Sequence, residues 1–160
     1  MSEQNTSNCA QLEDTINKTL IGDTQQNALK FVQHLASIGM GGDGRVKYKG
    51  VTMCDIHICG GSEYPGPWTI WMYWPDTESV PNDERLIEIA WAHVHNCHIC
   101  PGGNNAWCRS DKKKTIFGRN FNNVCQAAIA FTDPNAEAME CAKKLMDMRK
   151  YAIDARITTT

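Results

Sequence analysis

With 160 residues, 42% of them apolar, the chain is long enough to bury one hydrophobic core, and its formal net charge of -2 gives no global field that would draw it to nucleic acid or to an anionic membrane. No apolar run approaches the roughly 20 residues that cross a bilayer. Residues 1–9 have neither the positive nor the hydrophobic region of a signal peptide, so a cytoplasmic protein is expected, in which the eight cysteines read as metal ligands, core fillers or reactive thiols and not as a disulfide framework.

Residues 1–9 are polar and read as a flexible N-terminus. Leu12, Ile16 and Leu20 fall four apart, which predicts an amphipathic helix over 10–21. Gly22-Asp23 ends it. Asp23 or Thr24 can cap a second helix over 25–38, with Ala28, Leu29, Val32, Leu35 and Ala36 as its buried stripe. His34 lies beside that stripe and reads as an edge histidine. Four glycines within 39–44 then break the helix. A helix precedes them and a strand follows, the reverse of the order a phosphate-cradling loop needs.

Residues 45–60 read as a hairpin that bends at Gly50. On its second strand the period of two puts Val51, Met53, Asp55, His57 and Cys59 on one face. Thr52, Cys54, Ile56 and Ile58 take the other, which is expected to face the core. An aromatic strand follows over 68–74. Trp71 and Tyr73 share one face; Trp68, Ile70, Met72 and Trp74 share the opposite one. That is more aromatic area than a single thin core absorbs. Trp71, Tyr73 and Trp91 are therefore expected to line a small-molecule pocket or to form the face of a homodimer.

Asn82 is the expected N-cap of a helix that Leu86, Ile87, Ile89 and Ala90 carry to about 94–96. Residues 101–113 show no periodicity. A short strand is expected over 114–117, a turn over 118–123, and a strand over 124–131 with a helical alternative because of its alanines. Asp133 can cap the last helix with Pro134 at its first position, and Ala138, Cys141, Ala142 and Leu145 form its buried face. Residues 153–160 read as a short strand or tail. The expected fold class is α+β: one domain over 10–152 with N-terminal helices, a mostly antiparallel sheet and a long C-terminal helix.

Chemistry concentrates between Trp91 and Cys108. His93, His95, Cys97, His98 and Cys100 fall within eight positions. Cys97-x2-Cys100 has the local spacing of a tetrahedral thiolate site, and Cys108 with Cys125 can complete four thiolates. Such a set suits zinc ahead of an iron–sulfur cluster. His93, His95 or His98 can replace a thiolate, and so can His57 and Cys59 from the sheet. Proline at position 101 excludes c-type haem attachment. The pair lies near a helix C-terminus, where the dipole disfavours an activated thiolate. The expected function is a small metal-binding protein with an aromatic-lined ligand pocket. The alternative is a metal-dependent enzyme with an open coordination position and Asp55 or Glu88 as general base. A third class is association through exposed aromatics.

Overall fold

The computed structural model describes residues 3–59, 66–74, 80–96 and 113–159. They form, in chain order, α1 (Glu3–Thr19), α2 (Gly22–Ser37), β1 (Arg45–Tyr48), β2 (Val51–Ile58), β3 (Trp68–Met72), α3 (Glu84–Ala92), β4 (Val94–Asn96), β5 (Lys114–Ile116), β6 (Arg119–Phe121), β7 (Val124–Thr132) and α4 (Ala136–Thr158). Five strands make one antiparallel sheet in the order β1-β2-β3-β7-β4, and β5 pairs with β6 as a separate hairpin. The class is α+β, with N-terminal helices, an antiparallel sheet and a long C-terminal helix.

The core forms where the helical stripes meet one face of the sheet. Leu12, Ile16 and Leu20 are buried from α1 and the residue after it, and Ala28, Phe31, Val32 and Leu35 from α2. Trp68, Ile70, Met72 and Trp74 are all buried, as their shared face requires. Phe31 meets Trp68 with ring centroids 6.3 Å apart. From α4 come Ala138, Cys141, Ala142, Leu145 and Met146.

Several element boundaries differ from expectation, beginning with α1, which starts at Glu3 within the stretch expected to be flexible. Asp83, one residue after Asn82, caps α3 by accepting from the Leu86 amide at 3.1 Å. The helix then stops at Ala92 instead of 94–96. The carbonyl of His93 accepts from the Ala130 amide at 2.9 Å, and Val94 pairs opposite Ile129. A distant strand thus offers partners that override the local helical pattern. At the C-terminus, α4 is capped by Asn135, which accepts from the Ala138 amide at 2.8 Å, and runs to Thr158 through the stretch expected to be a strand or tail. Ile153 is buried, and Asp154 accepts from Lys49, Lys150 and Tyr48 at 2.7, 3.0 and 2.8 Å. These donors, Lys49 foremost, hold the Asp154 carboxyl well below the ordinary carboxylate range.

The β1–β2 hairpin turns through Lys49 and Gly50, both with positive φ, at 48° and 81°. This is the two-residue turn whose twist suits antiparallel strands. Further along, the register slips: Val46 faces Cys54 but Lys47 faces Thr52, so Met53 is the extra residue of a β-bulge. Met53 and Cys54 are consequently both buried. This corrects the expected placement of Met53 beside Asp55 and His57. Arg149 of α4, only 4% exposed, reaches the same place. It donates to the Thr52 carbonyl at 3.4 Å and to the Tyr73 carbonyl, with its guanidinium 6.0 Å from the centre of the Trp74 ring.

Two predictions follow from this packing, both read as shifts in the urea denaturation midpoint. Arg149→Met keeps an apolar stem but leaves buried carbonyls without their donor, and is expected to lose about 2–4 kcal/mol. A loss below about 1 kcal/mol would mean that Arg149 does not brace the bulge. The second concerns glycine. A Cβ on Gly42 would lie 1.8 Å from the Arg45 carbonyl oxygen, whereas one on Gly50 meets nothing within 4 Å. Gly42→Ala is expected to lose on the order of 3 kcal/mol or more, and Gly50→Ala only about 1–2 kcal/mol from its left-handed backbone. Equal losses would show that the 39–44 loop moves aside.

Candidate functional site: the open face of the sheet

Alternate side chains of the sheet point away from the helices. Register aligns Arg45 of β1 with Asp55 of β2, Asp55 with Trp71 of β3, and Trp71 with Ala130 of β7. Beyond them β4 contributes His95. The Trp71 and His95 rings meet edge to face, with centroids 4.7 Å apart and planes at 89°.

The other half of the row is polar. Arg45 grips Asp55 as a fork, Nε to Oδ1 at 3.0 Å and Nη2 to Oδ2 at 3.2 Å. Tyr73 donates its hydroxyl to Asp55 Oδ2 at 2.7 Å. Burial, and then the Asp55 carboxylate, push the Tyr73 phenol up to about 12, so it stays a donor. The pair is partly exposed and contributes little stability, since such ion pairs are worth about 0–1 kcal/mol. Its effect is to fix the ring of Tyr73 and to cancel the charge of Arg45. His57 lies exposed on the same strand as Asp55.

Sequence reasoning missed Arg45. The Lys49-Gly50 turn alone would set Arg45 opposite Cys54. Only the bulge at Met53 moves it opposite Asp55, and one extra residue leaves no mark in the alternation.

The expected metal centre is corrected. Among the described residues no group of three or more His, Cys, Asp or Glu side chains is placed to hold a metal ion, so the zinc or iron–sulfur reading is set aside. Cys9, Cys54, Cys125 and Cys141 are buried free thiols. Burial pushes Cys9 and Cys54 up and Cys141 up to about 12, away from the thiolate that binds metal. His95 lies on the edge of Trp71, His57 is exposed, and the Cys59 amide donates to the Pro67 carbonyl at 2.9 Å. Cys97, Cys100, Cys108 and His98 lie outside the described residues.

The aromatic-lined pocket and the metal-enzyme alternative are corrected too. Trp91 donates Nε1 to the Ile116 carbonyl at 2.7 Å and lies under Arg119, in the contact of α3 with β5 and β6, apart from the row holding Trp71. Two cavities among the described residues are a groove of about 560 Å³ at the start of α3 and one of about 170 Å³ beside Arg85. None of Trp71, Tyr73 and Trp91 lines either. Asp55 is committed to Arg45 and Tyr73. Glu88 pairs with Arg85 at 3.3 Å, on a different part of the molecule. Neither carboxylate stands ready as a base.

What the fold and face define is an α+β layer structure with helices on one side of an antiparallel sheet and a fixed aromatic and polar row on the other. No protein-family model, curated protein or solved structure matches this chain.

Burial lowers the proton affinity of His95 below its ordinary value of 6.5. The unfolded chain takes up this proton near 6.5 while the folded one does not. The contribution is therefore complete above that pH and is lost as pH falls below it. His95→Phe is expected to flatten the decline of the urea midpoint between about pH 7 and 5 relative to the unsubstituted protein. Parallel curves would contradict a desolvated His95.

Proposed function

We propose that the protein is an association module that pairs with a second copy of itself across the open face of the sheet, in the cytoplasm. The observation that carries this reading is the half-exposed Trp71, held edge-on by His95 at 4.7 Å and flanked by a guanidinium whose charge Asp55 neutralises. Fixed Trp, Tyr and Arg side chains with little net charge are the composition of interface centres. Asp55 cancels the charge of Arg45, which lowers the like-charge repulsion a second copy would meet beside Trp71, and two-fold self-pairing is the commonest assembly of soluble chains. Free thiols at Cys9, Cys54, Cys125 and Cys141 fit a reducing compartment.

Sedimentation velocity from micromolar to millimolar protein tests the reading. The unsubstituted chain is expected to shift from monomer to dimer, and Trp71→Ala to remain monomeric while keeping its circular dichroism spectrum. Trp71→Ala should lose only about 1 kcal/mol of stability, whereas Trp68→Ala in the core should lose about 3–5 kcal/mol. A monomer at every concentration would overturn the proposal. Unchanged dimerisation of Trp71→Ala would remove this face from it.

A further inference from the structure

We draw no further inference here: the strongest candidate, the apolar groove of about 560 Å³ between Pro81 and Leu86 at the start of α3 and Lys144 and Met148 on α4, is a face for which nothing in the structure shows what covers it.

Discussion

The grip of Arg149 on the carbonyls of Thr52 and Tyr73 is the contact on which the rest of the sheet depends. A bulge disturbs the ladder locally, and a buried carbonyl without a donor costs about 1–3 kcal/mol. Arg149 brings a charged donor to that point from the helix layer, with its guanidinium over Trp74. The bulge then has two results on opposite sides of the sheet. Inward, it turns Met53 into the core beside Cys54. Outward, it advances the register so that Arg45 meets Asp55. A core arginine and a surface ion pair are thus linked through one inserted residue. The direction of control follows from the magnitudes. Hydrogen bonds from a charged donor in the interior are worth about 1.5–3 kcal/mol, and an exposed pair such as Arg45–Asp55 about 0–1 kcal/mol. The interior sets the register, and the surface network inherits it.

Local periodicity carried much of the fold. The alternation in 68–74 separates Trp68, Ile70, Met72 and Trp74 from Trp71 and Tyr73, and the sheet keeps that division. The four-residue spacing of Leu12, Ile16 and Leu20 survives in the same way. What was not legible depends on partners remote in the chain. The end of α3 is set by β7, more than thirty residues on, through the Ala130 amide. Once His95 and Val94 belong to a strand, neighbours in sequence point to opposite faces. Ligand-type residues crowded together along the chain therefore need not converge on one point in space. Val94 packs inward against the core while His95 meets Trp71 on the outside.

The expectation of an aromatic pocket failed for a related reason. It rested on there being more aromatic surface than one thin core absorbs. The β5–β6 hairpin supplies additional packing. Phe117 meets Trp74 with centroids 5.3 Å apart, and the Ile116 carbonyl receives the indole N–H of Trp91. Those contacts account for two of the tryptophans, and the helices account for Trp68. Trp71 and Tyr73 are left on the outer face, and neither lines the cavities beside α3.

Placement on a strand face changes what these side chains can do. A pocket encloses a ligand, whereas side chains held on the outside of a sheet can meet another surface. Roughly 25 cal/mol per Å² of apolar area removed from water is available on either side. Against it stands the entropy of ordering side chains on association, about 0.5–1.5 kcal/mol for each rotamer-rich group. Here much of that ordering is already present in the single chain. Trp71 meets His95 edge to face, and Tyr73 is tied through Asp55 to Arg45. The edge contact with His95 restrains the Trp71 ring before any partner arrives, and in the proposed dimer that restraint would let modest apolar area count toward association.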